Sequence, residues 1–353
     1  TGLIGVLESH QHFRLINLIR VPLGMSTFLA PLAVLPFGAN LTRVVTVLMA
    51  IRLAEFLIFL TACLRLIPIL RSRIVWERNT VKPLLTFGGW MTVSNVALPL
   101  MIHIDRFIIG AVQSLSDVAY YANPAEIAVK VLVLPRAWVS ALFPPMTMHL
   151  ARHSPEADAL FGRAVKLLLL VMFPPVLGLY AVSPDFLRLW LNEEFAIHGA
   201  SILRLLTAGI FVYAMSYLAF SLLQSAGRPD VSARWHMAEL PVFIVTAVWM
   251  TSRWGIHGMA LAWALRGVMD AVVLFSAALR FVPGARRAVV AAAGQTALGL
   301  AVMLLSGWPA GLWTRLFTAG AGLCVFVVTA WWGLLSREER AWALSRISHT
   351  FSS

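Results

Sequence analysis

Arg52-Leu53-Ala54-Glu55, running on to Leu64-Arg65-Leu66-Ile67-Pro68, is matched about 215 residues later by Arg266-Gly267-Val268-Met269-Asp270, running on to Leu279-Arg280-Phe281-Val282-Pro283. Each copy places an arginine one helical turn before a carboxylate, and each leaves its apolar run at a Leu-Arg-apolar-apolar-Pro step. Both lie inside membrane-length apolar runs. The simplest source of such a pair is a membrane protein built of two related helical bundles, in which transport usually happens at the repeat interface.

Composition agrees. Of the 353 residues, 59% are hydrophobic and 12% charged, and the mean hydropathy is +0.81. A soluble domain carries roughly a quarter charged residues. Apolar runs of about 18–25 residues recur, the length that crosses a bilayer core as helix. The expected fold is an all-α polytopic membrane protein with ten spans: 21–39, 44–64, 84–104, 118–148, 165–182, 200–223, 238–252, 256–279, 288–306 and 313–335. Cys63 and Cys324 both sit in apolar runs, so no disulfide framework or metal cluster is implied. No signal peptide is visible, and the chain begins at Thr1 in a polar, basic segment.

Basic residues orient the spans. Alternate loops hold Arg14 and Arg20; Arg65, Arg71, Arg73, Arg78 and Lys82; Arg152, Arg163 and Lys166; Arg228 and Arg234; Arg280, Arg286 and Arg287; and Arg337, Arg340 and Arg346. That is 18 of the 28 basic residues, against six on the other face, which also carries the acidic segment Asp185 to Glu194. The basic face is read as cytoplasmic, with both chain ends on it. The net charge of +12 is then a topology signal plus attraction to anionic lipid, and needs no nucleic-acid partner.

The matched residues fall in spans two and eight, so the repeat unit is six spans. Residues 1–70 are then the last two helices of a first bundle, and 71–83 a cytoplasmic inter-bundle loop. Residues 84–285 form a second six-helix bundle, 286–336 two accessory spans and 337–353 a cytoplasmic tail. On this count four spans would precede Thr1, an expectation of N-terminal truncation.

Four cations lie well inside spans: Arg52, Lys130, Arg136 and Arg266. Each costs roughly 2.5–3.5 kcal/mol at mid-membrane on insertion scales, so each needs a cavity or a partner. Glu55 stands at i+3 from Arg52, Asp270 at i+4 from Arg266 and Glu126 at i−4 from Lys130, intrahelical neighbours in each case. Two readings stand side by side: ion pairs that pin helix packing, or a cationic cavity for an anionic headgroup with carboxylates for coupling. Around Lys130 and Arg136 the prolines 124, 135, 144 and 145 argue for a bent helix lining a wet cavity, because interior prolines free carbonyls that protein or water must satisfy. The alternative is a kink that serves packing alone. Asp105-Arg106 is expected near the outer face as an interfacial cap or gate. His236 and Glu239, at i and i+3, share a face at the mouth of span seven, for capping or proton relay. His103, His236 and His257 lack metal-ligand spacing. Many of the tryptophans, Trp76, Trp190, Trp254, Trp308 and Trp313 among them, read as interfacial belts.

No Walker sequence, Ser-His-Asp set, zinc pattern or nucleotide fingerprint is present, and the loops are too short for a soluble catalytic domain. The reading is a transporter, not an enzyme, without cofactor or metal, driven by an ion gradient, the membrane potential or substrate flux.

The order of Gly88-Gly89-Trp90, Ser94-Asn95, Pro99-Leu100, Asp105-Arg106-Phe107 and Gly110 resembles the start of the second half of Wzx-type polysaccharide repeat-unit flippases. These belong to the multidrug/oligosaccharidyl-lipid/polysaccharide exporter superfamily. Ala119-Tyr120-Tyr121-Ala122-Asn123-Pro124-Ala125-Glu126, Leu142-Phe143-Pro144, residues 223–229 with His236 and Glu239, and 262–270 continue the pattern. Gly5-Val6-Leu7-Glu8 to Asn17-Leu18-Ile19-Arg20 looks like the link before that family's fifth helix. The likeness covers roughly 1–285. It implies two six-helix bundles in a MATE-like V around a central cavity, with alternating access in a bacterial inner membrane. The implied substrate is a polyprenyl-pyrophosphate-linked oligosaccharide, and polysaccharide polymerase and assembly machinery are implied partners. It also makes Lys130, Arg136, Arg266 and Arg52 candidate substrate contacts, with Glu126, Asp270, Glu55, Asp105, Arg106 and Glu239 for coupling or gating.

Two alternatives belong to the same superfamily. A cation-coupled multidrug exporter would favour carboxylates and aromatics over Lys and Arg in its cavity, since its substrates are cationic. A peptidoglycan-precursor flippase is chemically close to the first reading and would rescue loss of such a flippase. A membrane scaffold without transport would tolerate loss of Lys130 and Arg266.

Overall fold

Proline and glycine decide where the long apolar helices of this chain stop or turn. A computed structural model describes residues 2–9, 12–34, 40–67, 78–152, 154–336 and 339–341. Most of the expected inter-bundle loop and tail, with Pro68, Arg71, Arg73, Trp76, Arg337 and Arg346, lies outside the described residues. Every regular element described is helical: α1 (Gly2–Ser9), α2 (Phe13–Val34), α3 (Leu41–Leu66), α4 (Arg78–Val112), α5 (Leu115–Lys130), α6 (Val133–Ala151), α7 (Glu156–Trp190), α8 (Glu193–Ser225), α9 (Pro229–Ala278), α10 (Arg286–Gly307) and α11 (Leu312–Thr329). A short 3-10 turn, Pro283–Ala285, precedes α10, and a π turn, Ala330–Leu334, follows α11.

The chain divides into two compact units, Thr1–Val81 and Lys82–Ser353. In the first, α1, α2 and α3 meet at Leu7, Ile16, Phe59 and Cys63, all buried. The Cys63 thiol donates to the Leu3 carbonyl at 3.3 Å. Outside this knot the apolar side chains of α2 and α3, such as Phe28 and Met49, face outward, as expected of helices whose surroundings are lipid.

In the second unit α8 is the central helix. Most of its apolar window is buried, 72% against 50% for α7 and α9. It packs against α5, α6, α7 and α9, with α10 and α11 laid on α7. Close backbone approach makes this possible: a Cβ at Gly209 would stand 2.8 Å from Ala264, and one at Gly299 2.9 Å from the Phe211 ring.

The expected bent span 118–148 is two helices, broken at Val131–Leu132. Its cause is Pro135. In a continuous helix its ring would press on the Val131 carbonyl, which it could not bond. The chain tightens instead, with Leu132 N–H donating to Val129 and Leu134 N–H to Val131. Pro135 then stands in the first turn of α6, where no intrahelical donor is required. Pro124, Pro144 and Pro145 remain inside their helices.

Nine stretches among the described residues are long and apolar enough to cross a membrane. One, α9, has 50 residues, roughly 75 Å of helix at 1.5 Å per residue and more than two bilayer cores. It is not straight. Trp254 (φ −127°, ψ 16°) and Gly255 (φ 57°, ψ −143°) leave helical geometry, and the contacts of Glu239 with Arg266 and of His236 with Asp270 show the two arms lying antiparallel. The expected spans seven and eight are these arms. The chain is a multi-pass helical membrane protein.

Candidate functional site

In the second unit a cavity of about 330 Å³ opens among α4, α5, α6, α8 and α9. His103, Asp105 and Arg106 enter it from α4; Tyr121, Glu126 and Lys130 from α5; Arg136 from the first turn of α6; Leu206 and Ile210 from α8; and Trp263 from α9. Five residues singled out in the sequence therefore line one space: Lys130, Arg136, Glu126, Asp105 and Arg106. The break at 131–132 brings the two cations together, by putting Lys130 in the last turn of one helix and Arg136 in the first turn of the next.

The pairing differs from the sequence expectation. Glu126 reaches Lys130 only at 4.0 Å, and its close partner is Arg106, whose guanidinium donates to Oε1. Asp105, 2% exposed, does not pair with the neighbouring guanidinium; its Oδ1 accepts the Arg106 backbone N–H at 2.7 Å. Lys130 is left 82% exposed at its side chain. Arg136 reaches only the Tyr217 hydroxyl, at 3.5 Å, with that ring 6.0 Å away. Two weakly partnered cations thus stand in this cavity, beside a pair whose carboxylate neutralises Arg106.

Behind Trp263 lies a buried cluster. Arg266 and Asp270 were expected to pair along their helix; instead each takes a partner across the α9 hairpin. Arg266 Nη1 lies 3.7 Å from Glu239 Oε1. Asp270 Oδ1 accepts the Trp235 indole N–H at 3.0 Å and lies 3.7 Å from His236 Nε2. His236 Nδ1 meets the Ser94 hydroxyl of α4 at 3.1 Å. The arginine stacks among the rings of Tyr213, Trp263 and Phe243 at 4.8, 5.1 and 5.4 Å. Neither Glu239 oxygen makes a hydrogen bond, nor do Arg266 Nε and Nη2. Two carboxylates thus share one guanidinium in a sealed setting, where unbalanced charge is costly. A proton or a cation is the kind of species such a cluster can hold, and ligand atoms of His236, Glu239 and Asp270 lie within 4.8 Å of one another.

Spacing along the chain joins His236 to Glu239 and gives no sign of its partner Asp270. Depth in the hairpin is the signal that finds it: the pairs 236/270 and 239/266 share a midpoint near residue 253, just before the bend at Trp254–Gly255. Arg266, expected as a substrate contact, is buried in the hairpin and is not among the residues lining this cavity.

Arg52 and Glu55 do pair, at 2.9 Å, but with the arginine side chain 68% exposed. They line a separate space of about 610 Å³ within the first unit, together with Arg20. The two copies of the opening motif therefore differ in burial, one arginine exposed within its unit and the other enclosed. On the acidic segment, Arg315 binds Asp185 at 2.8 Å and Arg188 binds Glu193.

The chain is 32% identical over 196 residues to a Shigella flexneri protein that carries the provisional name O-antigen transporter, covering 56% of this chain and 46% of that protein. It is 19% identical over 196 residues to a Haloferax volcanii protein provisionally named a low-salt glycan biosynthesis flippase, Agl15, covering 55% and 41%. It spans less than half the length of both relatives. Among solved structures, lipid II flippase MurJ in its inward closed conformation matches with a TM-score of 0.58 at 12% identity, over 92% of this chain and 68% of that one; at that identity the likeness is one of fold. Residues 13–197 match the family described as polysaccharide biosynthesis protein. That stretch is more than half of the chain and takes in the α4, α5 and α6 walls of the cavity, and the chain belongs to this family.

Proposed function

We propose that the protein moves a polyprenyl-pyrophosphate-linked oligosaccharide from the cytoplasmic to the periplasmic leaflet of a bacterial inner membrane by alternating access. The supporting observation is the cavity itself. Lys130 and Arg136 are weakly partnered cations inside an apolar helical bundle, and a pyrophosphate is the kind of group that compensates them. Charge-assisted hydrogen bonds to phosphate are among the strong ones, and a guanidinium can bind two oxygens at once. Arg106 is held by Glu126 and would join Lys130 and Arg136 only by giving up that pair to an arriving anion. The relatives named for O-antigen transport and glycan flipping support the same substrate class.

In this reading Lys130, Arg136 and Arg106 bind substrate. Glu239, Asp270 and His236 form a coupling element, since their net charge changes with one proton or cation. Arg266 holds the hairpin arms together and does not touch substrate. Arg52 and Glu55 belong to the first unit's own cavity. The basic loops and the C-terminus face the cytoplasm, and polysaccharide polymerase and assembly machinery act downstream.

The test is complementation. The complete gene product is expressed in a strain lacking its repeat-unit flippase, and lipid-linked repeat units are counted on each leaflet. Restored periplasmic exposure is expected. Continued accumulation on the cytoplasmic side, with the protein present in the membrane, overturns the proposal.

A further inference from the structure

A second charged pocket stands apart from the transport cavity. It measures about 560 Å³ and lies where α7 and α10 begin and the π turn after α11 ends. Those are the ends of three membrane-length helices, so the pocket sits at headgroup depth. Arg163, Lys166 and Arg287 supply its charge, over a floor that includes Ala159, Ala288 and Leu334.

A carboxylate of the chain itself fills it. Glu339 Oε2 accepts from Lys166 Nζ at 2.9 Å and from the Ser336 backbone N–H at 2.7 Å, and Oε1 lies 3.9 Å from Arg163 Nε. The other acid in the wall, Asp158, is already committed to the Gly284 N–H at 3.0 Å. Arg287 makes no hydrogen bond or ion pair among the described residues. Three cations therefore face one available carboxylate, carried on a segment only a few residues beyond the last membrane helix.

We propose that this pocket binds the phosphodiester headgroup of an anionic phospholipid, and that Glu339 is its tethered competitor. Exchanging one carboxylate for one phosphodiester leaves the charge of the pocket unchanged. It also adds acceptor oxygens for Arg163 and Arg287, which the short glutamate does not satisfy. Basic clusters at a membrane surface attract anionic lipid in any case; what this site adds is a shaped pocket and a displaceable plug. The inference does not depend on the transport reading.

The experiment measures unfolding temperature of the purified full chain in detergent micelles carrying phosphatidylglycerol, phosphatidylcholine or inorganic phosphate. Phosphatidylglycerol is expected to raise it in a saturable way, and the other two are not. In R163Q/K166M/R287Q the increment should vanish. In E339Q, which keeps all three cations, the apparent affinity for phosphatidylglycerol should rise about tenfold, the equivalent of about 1.4 kcal/mol. Because E339Q removes no pocket cation, its result stands even where the triple variant fails to fold. Equal response to both lipids, an increment retained in a folded triple variant, or weaker binding in E339Q would each overturn the proposal, the last by showing an ordinary ion pair only.

Discussion

Arg266 and Glu239 face each other across the two arms of α9 at 3.7 Å, each 2% exposed, and neither completes its hydrogen bonds. Removing one partner of such a pair strands the other charge in a dry interior, at about 3–5 kcal/mol. R266M and E239L alone should each lower stability by that order. The double variant E239L/R266M should recover most of the loss, because similar apolar volumes fill the site. Denaturant unfolding in detergent checks this; singles indistinguishable from the parent would show that the pair is hydrated.

Gly255 turns the hairpin with φ 57° and ψ −143°, a conformation nearly restricted to glycine. G255A should destabilise by about 1–3 kcal/mol. Gly294, inside α10 with open space at its Cβ position, is the control: G294A should be neutral or stabilise by up to about 1 kcal/mol. Opposite shifts in the thermal unfolding of the two variants are the expected readout.

The cavity cations should matter to transport more than to folding. Lys130 and Arg136 are exposed and weakly paired, so K130M and R136Q should leave the unfolding temperature nearly unchanged. Each should reduce appearance of lipid-linked repeat units in the outer leaflet about tenfold or more, the worth of one charge-assisted hydrogen bond. Leaflet-specific labelling of the glycan measures it. A folded double variant with full transport would place the substrate elsewhere.

The segment that carries Glu339 should respond to acid. Burial works to raise its carboxyl, but the Ser336 N–H and the Lys166 ammonium outweigh that and hold it below the ordinary value of 4.5. A depressed carboxyl contributes stability that is present above the unfolded-state value and lost as pH falls through the folded one. Protection of residues near 336–341 in hydrogen exchange should therefore be constant near neutrality and fall only below about pH 4. E339Q should abolish that pH dependence.

Orientation has its own check. Reporter fusions after the C-terminus should give fluorescent green fluorescent protein and inactive alkaline phosphatase if the basic loops face the cytoplasm, as we propose from the positive-inside rule. The reverse pattern would invert the topology and the direction of transport with it.

Much of this was legible in the sequence, for a local reason. Apolar run length reports the cost of exposing a peptide group to lipid, so the ten spans and the helical class follow from composition along the chain. The same holds for Lys130 and Arg136: a charge in an apolar run must find water or a partner, and prolines beside it indicated where the helix gives way. What local spacing could not decide was partnership. The i+4 rule joins Arg266 to Asp270 along one helix, yet the α9 hairpin offers Glu239 and His236 at the same depths on the other arm. Likewise Glu126 stands one turn from Lys130 but bonds to Arg106, twenty residues away. The matched motifs at 52 and 266 show the limit most clearly. By itself the sequence determined that both arginines lie in membrane helices near a carboxylate. Only the tertiary structure decided that Arg52 is exposed within its unit and Arg266 buried, because burial depends on which helices close around a residue and not on its own neighbours in the chain.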